Sequence, residues 1–508
     1  MEIIGTVDSD TLIGGIGNDS IYGLEGDDRL EGNEGRDRLE GGDGYDTLLG
    51  GGGRDFLYGN EGDDVLNGGY GPDVMRGGAG YDTYIVDDVG DEVYEVNDWS
   101  WDSVYSSVSF TLSDYVEELH LEGSADLNGT ANDQDCSLYG NAGTNVLIGG
   151  EGYDYLESGR GGNDTLVGGG GGDYIYVSGD AGTVVVSGDA GDDYIEMYGN
   201  DDGATMDGGD GDDTFYLDGS NDVVAVGGAG NDSFYLGSSQ RVNIQGGDGN
   251  DHIGGYRIEG TYDGGAGDDY YVLDDSDVTI IEAADGGYDT VEVWSESYTA
   301  DAGIESVYFY SVGTLTGNEL DNVFQVEQVW WGSEEGEAAS VYGADGNDHI
   351  KTYADAFVFG GAGNDTLVAR GYDAEAELHG GGGNDVLDGS LGSAIMHGDS
   401  GNDVFVIGDG SYWDYAPATI TDFNDWQDSI HLKDFNKLGP DGVLASRCFY
   451  AAEGPAAVAH DETDRLIFDT SSGALYYDAD GTGVEAQVHI ATITVTDGLL
   501  NHTDFTVT

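Results

Sequence analysis

Apolar side chains recur every nine residues over the first part of the chain, between Gly5 and Ile85. The consensus has glycine at positions one, two and four and aspartate at position six, as in Gly14-Gly15-Ile16-Gly17-Asn18-Asp19-Ser20-Ile21-Tyr22. The eighth position holds Leu12, Ile21, Leu30, Leu39, Leu48, Leu57, Leu66, Met75 and Tyr84. Side chains alternate between the two faces of a strand, so the eighth residue points inward and its neighbours point outward. The period predicts very short strands stacked in a repeating solenoid.

Aspartate at position six supplies a candidate cation ligand in every repeat. These residues are Asp10, Asp19, Asp28, Asp37, Asp46, Asp55, Asp64, Asp73 and Asp82. Glycines at positions one, two and four allow positive φ and turn backbone carbonyls toward one point. One coil needs two loops and two strands, so carboxylates and carbonyls of alternate repeats surround each cation. Calcium accepts about 6–8 oxygens in flexible geometry, whereas magnesium requires an octahedron, so several calcium ions are predicted.

Two later blocks repeat the same loop at wider spacing. The second block carries Asp154, Asp164, Asp173, Asp193, Asp213, Asp232, Asp251 and Asp269, and the third carries Asp348, Asp365, Asp385 and Asp403. After Asp173 the intervals are close to one whole coil, which predicts calcium along one edge with metal-free turns opposite. The glycines expected to shape the calcium loops include Gly14, Gly15, Gly17, Gly41, Gly42, Gly44, Gly208, Gly209, Gly211, Gly227, Gly228, Gly230, Gly246, Gly247, Gly249, Gly360, Gly361 and Gly363.

The nonapeptide resembles the Gly-Gly-x-Gly-x-Asp-x-U-x signature of the RTX, or hemolysin-type, calcium-binding proteins. The resemblance implies a parallel β-roll with calcium between successive turns, similar to the rolls of serralysins and of alginate epimerase repeat modules. It also implies export by the type I secretion machinery and folding in the calcium-rich exterior of a Gram-negative bacterium. The expected fold is all-β: parallel β-roll solenoids with intervening β segments and a C-terminal β cap.

Six segments are predicted along the chain. They are a roll with calcium on both edges (1–85), an intervening β unit (86–139), a roll with calcium mainly on one edge (140–272), a second intervening unit (273–322), a one-edged roll (323–408), and a C-terminal cap with a type I secretion signal (409–508). The two intervening segments resemble each other: Tyr84-Ile85-Val86-Asp87-Asp88 matches Tyr271-Val272-Leu273-Asp274-Asp275. Each is interpreted as a β spacer or a continuation of the roll, with a ligand-binding module as the alternative. Within the cap, 465–469 and 475–478 are predicted to form a β-hairpin.

Composition limits the partners. The 508 residues include 102 Asp or Glu against 14 Lys or Arg, for a formal net charge of -88. Such a chain repels nucleic acid and anionic lipid, so neither is expected as a partner. No apolar stretch approaches the ~18 residues of a membrane span. The first residues lack the basic and apolar regions of a Sec signal peptide, and two cysteines are too few for a disulfide framework.

Catalytic motifs are missing from the sequence. None of the nine His lies in a His-Glu-x-x-His pair, and the chain has no Gly-x-Ser-x-Gly elbow, no P-loop and no Cys-x-x-Cys. We therefore predict no enzyme activity, and a secreted calcium-binding scaffold or adhesin with a polysaccharide or cell-surface partner. The alternative is a calcium-binding accessory module of a polysaccharide-modifying system similar to the alginate epimerases.

Tyrosines recur on the outer face of the second block. They are Tyr155, Tyr174, Tyr176, Tyr194, Tyr216, Tyr235 and Tyr270. Stacked coils would align them into ladders. The ladders are interpreted as cross-strand packing that stabilises the sheet, and the alternative is a platform for sugar rings or a partner protein.

Overall fold

The structure is a computed structural model of the chain. It describes residues 1–178, 182–199, 203–219, 222–237, 241–274, 277–283, 286–327, 338–371, 375–391, 393–408, 417–435, 437–454, 458–483 and 486–508. The metal-free turns predicted opposite the calcium edge of the second block include 177–181, 221–224 and 236–240. Parts of these three stretches lie outside the described residues. No helix in this part of the chain is long and apolar enough to cross a membrane.

The prediction of an all-β solenoid is confirmed. The chain divides into two compact units, one formed by Met1–Gly265 with Asp277–Thr279 and the other by Ala266–Ser276 with Ile280–Thr508. Within each unit, short strands pair in parallel with the equivalent strand of the next coil. Registers such as Thr11↔Arg29 and Arg29↔Thr47 show the eighteen-residue coil of the first repeats.

Three sets of stacked strands build the first unit. One set is Glu2–Ile4, Ser20–Glu25, Arg38–Asp43, Phe56–Glu61, Val74–Ala79 and Glu92–Tyr94. A second is Thr11–Ile13, Arg29–Gly35, Thr47–Gly53, Val65–Tyr70, Thr83–Val86, Ser103–Ser106, Glu118–Leu121, Ser137–Tyr139, Tyr155–Glu157, Tyr174–Ser178, Tyr194–Tyr198, Thr214–Asp218, Ser233–Leu236 and His252–Tyr256. The third is Phe110–Thr111, Asn128–Thr130, Val146–Ile148, Thr165–Gly170, Val185–Ala190, Thr205–Asp210, Val223–Ala229, Arg241–Asp248 and Glu259–Ala266.

The second unit has two sets of strands. A further strand, Asp277–Ile281, is divided between the units, since its first three residues belong to the first unit and its last two to the second. One set is Tyr270–Asp274, Asp289–Val293, Ile304–Phe309, Val323–Val326, His349–Thr352, Thr366–Ala369, Val386–Asp388, Val404–Gly408, Ser429–Lys433, Phe505–Val507 and Gly442–Val443. The other is Ser297–Thr299, Thr314–Thr316, Ala339–Asp345, Ala356–Ala362, Glu375–Gly382, Ser393–His397, Ala418–Asn424, Val488–Asp497, Ala474–Tyr477, Leu466–Asp469 and Phe449–Ala452. Two 3₁₀-helices lie at Ser446–Cys448 and His502–Asp504.

The core is the stack of eighth-position side chains. From Ile21 to Tyr84 every one of them is fully buried between the two strands of its coil. Burying one such aliphatic side chain contributes about 1.5–3 kcal/mol. Because a coil of the first repeats has only two such inward side chains, its apolar core is thin, and the turns must supply further stabilisation.

The strand ladder runs through the segment at 86–139. Thr83–Val86 pairs in parallel with Ser103–Ser106, which pairs with Glu118–Leu121, and this strand pairs with Ser137–Tyr139. In the second unit, Tyr270–Asp274 pairs in the same way with Asp289–Val293. Both segments therefore contribute coils to the solenoid of their unit.

Antiparallel pairing appears at the end of the second unit. Leu466–Asp469 and Ala474–Tyr477 form the predicted β-hairpin, and Ala474–Tyr477 pairs antiparallel with Val488–Asp497. The final strand, Phe505–Val507, pairs in parallel with Ser429–Lys433. The segment predicted as a cap thus adds antiparallel strands to the parallel sheets of the second unit.

Glycines have two different roles in the loops. Second- and fourth-position glycines such as Gly42 (φ 129°) and Gly44 (φ 142°) adopt positive φ, as predicted. The same expectation is wrong for position one and for Gly15, which have no left-handed φ. A Cβ on the first-position Gly168 would lie 2.2 Å from Asp173 Oδ2 and 2.8 Å from the Gly188 carbonyl oxygen. Position one therefore needs glycine because there is no room for a side chain.

The steric requirement predicts a difference between two alanine substitutions in one loop. Gly168→Ala places a methyl group among the oxygens beside Asp173, and it should destabilise the fold by about 1–3 kcal/mol. Gly170→Ala is the matched control, because its Cβ would come no closer than 3.3 Å, to the side-chain carboxylate of the exposed residue Glu151. Chemical denaturation in calcium would measure both, and equal losses of stability would contradict the steric explanation.

Candidate metal centres

One oxygen of each sixth-position aspartate is fixed by the neighbouring coil. Oδ1 of Asp28 accepts a hydrogen bond from the backbone amide of Asp10 at 2.7 Å, and Oδ1 of Asp46 accepts one from Asp28 at 2.8 Å. The pattern continues in the later block, where the amide of Asp193 donates to Asp213 Oδ1 at 2.8 Å. The carboxylates are therefore stacked in rows, one per coil, with fixed orientation.

The other oxygen, Oδ2, is buried and has no hydrogen-bond donor. This holds for Asp28, Asp37, Asp46, Asp55, Asp64, Asp73, Asp82, Asp173, Asp193, Asp213, Asp232, Asp289, Asp348, Asp365 and Asp385. A buried carboxylate oxygen without a partner is costly. Such a repeated cost indicates a ligand, because native proteins satisfy nearly all buried polar groups.

Backbone carbonyls face these oxygens. A Cβ on Gly208 would lie 2.1 Å from Asp213 Oδ2 and 2.6 Å from the Gly227 carbonyl oxygen. A Cβ on Gly360 would lie 2.3 Å from Asp365 Oδ2 and 2.6 Å from the carbonyl oxygen of Gly380. Each first-position glycine thus borders a small space lined by a carboxylate and a carbonyl from the next coil. Oxygens of these two kinds are the ligands that calcium takes, so the loops fit calcium.

Burial raises the pKa of the stacked carboxyl groups. Desolvation brings the pKa of Asp64 and Asp73 to about 7 and that of Asp213 to about 8, although backbone hydrogen bonds and neighbouring carboxylates also contribute. Without a cation, the folded chain therefore disfavours the charged form at neutral pH.

The first repeats place carboxylates on both edges of the coil. One row contains Asp10, Asp28, Asp46, Asp64 and Asp82, and the other contains Asp19, Asp37, Asp55 and Asp73. The second row ends at Asp91, whose Oδ2 accepts hydrogen bonds from the amides of Asp87 and Asp88. Asp91 is therefore satisfied by its own loop.

Later coils place carboxylates on one edge. In the first unit the row continues through Asp154, Asp173, Asp193, Asp213, Asp232 and Asp251. The opposite turns bury Val184, Ala204, Val223, Val242 and Ile258. In the second unit the row is Asp348, Asp365, Asp385 and Asp403, and the opposite turns bury Ala339, Ala356, Ala376, Ala394 and Ala418.

Asp164 lies apart from the one-edged row of the first unit, and its Oδ1 accepts the amide of Asn145. In the second unit the amide of Asp269 donates to Asp289.

Two turns replace the aspartate with asparagine. Asn145 Nδ2 donates to the Leu127 carbonyl at 2.9 Å, and Asn322 Nδ2 donates to the Ile304 carbonyl at 3.0 Å. The N–H groups of the side-chain amide place partial positive charge beside the carbonyl oxygen. In the aspartate loops, a cation would have to supply this charge. These turns are therefore closed without metal, a feature that sequence reasoning missed although the Asn stands at position six.

Some predicted ligands are held by their own loop. Oδ2 of Asp19 accepts the amide of Gly15 at 2.8 Å, and Oδ2 of Asp154 accepts the amide of Gly150 at 2.6 Å. Asp10 Oδ2 accepts the Thr6 amide at 2.7 Å. In these three loops a backbone amide of the same loop donates a hydrogen bond to Oδ2. The stacked aspartates described above have no donor at Oδ2.

Further acidic residues join the rows at places that the consensus does not mark. Asp82, Glu95 and Asp102 offer carboxylate oxygens within 4.8 Å of one another, and so do Asp269, Glu282 and Asp289. Sequence reasoning missed Glu95, Asp102, Glu282 and Asp289. A signal was present, because Glu95 and Glu282 stand eighteen residues after Gly77 and Gly264, where a first-position glycine would recur.

Family comparisons agree with this geometry. A model of the RTX calcium-binding nonapeptide repeat matches residues 4–39, 31–66, 49–84, 139–175, 158–184 and 176–196. A model of the C-terminal domain of the M10 serralysin peptidases matches residues 257–490. No curated protein matches the chain. The repeat model supports calcium as the cation of the loops.

The raised pKa values predict how calcium-free protein responds to pH. A folded-state pKa of about 6 to 8 means that the fold binds protons which the unfolded chain, with pKa near 4, has released. The unfolding free energy of the calcium-free protein should therefore fall as pH rises through this range. Circular dichroism in chelator should show more strand at pH 5 than at pH 8. Identical spectra at the two pH values would contradict the burial of these carboxylates.

Proposed function

We propose that this chain, which is an RTX calcium-binding β-roll protein, acts outside the cell as a non-enzymatic scaffold or adhesin that binds a polysaccharide. Calcium supplies the counter-charge for the carboxylate rows, so the chain folds where calcium is plentiful. Site affinities of about 10⁻⁴–10⁻³ M, as in extracellular modules, would keep it unfolded before export. The type I secretion machinery is the export partner that the serralysin-like region favours.

The observation that carries the partner class is an aromatic pocket in the first unit. Trp99, Trp101 and Tyr115 line a cavity of about 470 Å³ together with Glu117 and Asp135. Trp99 is 93% exposed, and its backbone has φ 71°, a left-handed conformation that costs roughly 1–2 kcal/mol. Strain of this kind concentrates at binding sites. An exposed indole face beside hydrogen-bond acceptors fits a sugar ring.

The charge of the pocket indicates which class of polysaccharide it can bind. Carboxylates of Asp98, Glu117 and Asp135 line the cavity, and the chain carries a net charge of -88. These groups accept hydrogen bonds from hydroxyl groups and repel uronates. We therefore favour a neutral, hydroxyl-rich polysaccharide.

The long tyrosine ladder has a different role. Rings from Tyr105 to His252 stack along one face of the first unit, with centroids 4.4 to 5.6 Å apart. Neighbouring rings are stacked or tilted against one another at these short distances, so a sugar ring does not fit between them. The ladder therefore favours stabilisation of the sheet over sugar binding, at about 0.2–1 kcal/mol per pair.

A binding experiment tests the proposed function. Trp99→Ala combined with Trp101→Ala should weaken retention on neutral polysaccharide resins such as dextran and cellulose by about tenfold or more, the loss of one binding hot spot. Trp426→Ala is the control, because Trp426 is 76% exposed and lies in the second unit. All variants are measured in calcium after circular dichroism shows the fold intact.

Two outcomes would overturn the proposal. Equal retention of the wild type and the double variant would exclude the pocket as the binding site. Conversion of a uronate polymer such as alginate by the purified chain would favour a role in a polysaccharide-modifying system.

A further inference from the structure

Three carboxylates meet at the end of the first calcium row. Asp82, Glu95 and Asp102 place oxygens within 4.8 Å of one another, and Asp82 and Asp102 are each only 1% exposed. Oδ1 of Asp82 accepts the amide of Asp64, and Oδ2 is buried without a partner. No Lys, Arg or His of the described residues forms an ion pair with these three carboxylates.

Glu95 occupies the place of a loop carbonyl. A Cβ on Gly77 would lie 2.0 Å from Asp82 Oδ2 and 2.4 Å from Glu95 Oε1. At the equivalent Gly23, the two oxygens are Asp28 Oδ2 at 2.2 Å and the Gly41 carbonyl oxygen at 2.6 Å. The space next to Gly77 is therefore the consensus calcium space with a neutral ligand exchanged for a charged one.

Tyr84 orients the glutamate. Its hydroxyl donates to Glu95 Oε1 and accepts the Gly77 amide at 2.6 Å, while Glu95 Oε2 accepts the amides of Gly78 and Val96 at 3.2 and 3.0 Å. Three hydrogen bonds thus hold the Glu95 carboxylate toward Asp82, and the Gly77 amide fixes the Tyr84 hydroxyl. Tyr84 is a positioning residue, since it acts through Glu95.

The arrangement recurs in the second unit. Asp269, Glu282 and Asp289 also place oxygens within 4.8 Å of one another, and the Tyr271 hydroxyl donates to Glu282 Oε1. Asp289 is fully buried, and its Oδ2 has no partner. Two separate segments of the chain have kept the same tyrosine, glutamate and pair of aspartates in one geometry.

We propose that each carboxylate triad binds one further divalent cation of the calcium class, and binds it more tightly than the consensus loops do. The reason is charge, because calcium affinity in oxygen sites rises with the number of charged ligands and with the rigidity of the site. The triad supplies three carboxylates, where a consensus loop supplies the aspartates of two successive coils and a neutral carbonyl. The inference concerns the cation alone and does not depend on the polysaccharide role.

The first triad also brackets the segment that carries two exposed indoles. Glu95 and Asp102 stand at the two ends of residues 96–101, the segment that carries Trp99 and Trp101. A cation shared by both ends fixes the width of this segment. The exposed indoles are then presented on a closed loop.

Terbium can count the triads in the folded protein. Full-length protein is saturated with 10 mM calcium (about ten times the upper end of the expected affinities) and titrated with terbium, whose higher charge favours the sites richest in carboxylate. We expect two tight terbium ions per chain by equilibrium dialysis. Tyr84 and Tyr271 should sensitise their emission.

Substitutions assign the two ions. Glu95→Gln and Glu282→Gln should each remove one tight ion, with at least about tenfold weaker terbium binding at the altered site, and the double variant should have none. Glu92→Gln is the matched control, because Glu92 is exposed on the same segment and makes the same charge change. Tyr84→Phe keeps all three carboxylates and should retain two ions with weaker sensitised emission.

Other terbium-binding results would overturn the inference. If Glu95→Gln and Glu92→Gln give the same two tight ions, the triad is a hydrogen-bonded acid cluster and the inference is overturned. Should Glu95→Gln lose its strand spectrum in calcium, Glu282→Gln in the other unit decides in the same way.

Discussion

The buried aspartate oxygen without a hydrogen-bond donor is the constraint on which the rest of the structure depends. Each stacked loop fixes Oδ1 through a backbone amide and leaves Oδ2 facing a carbonyl of the next coil. An anionic oxygen next to the negative end of a carbonyl dipole is unfavourable until a cation joins them. Because the apolar core of the first coils is thin, we expect cation binding to supply much of the free energy of folding.

The coils show three solutions to the same electrostatic problem. Stacked aspartates require a cation, Asn145 and Asn322 donate their side-chain amides to the facing carbonyls, and the turns opposite the one-edged rows bury Val or Ala. The second and third solutions remove the need for metal. We therefore propose that the position-six residue determines, turn by turn, whether a coil depends on calcium, and that an acidic triad adds charge at two of these points.

Much of this architecture was predictable because the repeat is strict. The nine-residue register predicts the short strands and the inward Leu30 or Leu48, and the spacing after Asp173 predicts carboxylates along one edge. The role of first-position glycine was not predictable from conformational preference, because it depends on where Asp173 Oδ2 and the Gly188 carbonyl lie. Glu95 was missed because the glycine signal ends before it, although the coil length continues. Trp99 could not be assigned from the sequence, since the repeat pattern marks neither its exposure nor its left-handed backbone.

Circular dichroism of the full chain during a calcium titration tests the central claim most directly. In excess chelator at pH 8, the account predicts a largely unfolded spectrum, because the buried carboxylates repel one another without counter-charge. Adding calcium should produce a strand-rich spectrum with a midpoint of about 10⁻⁴–10⁻³ M. Magnesium at the same concentration should not replace it. A strand-rich spectrum that persists unchanged in excess chelator would contradict the claim that the cation holds the fold together.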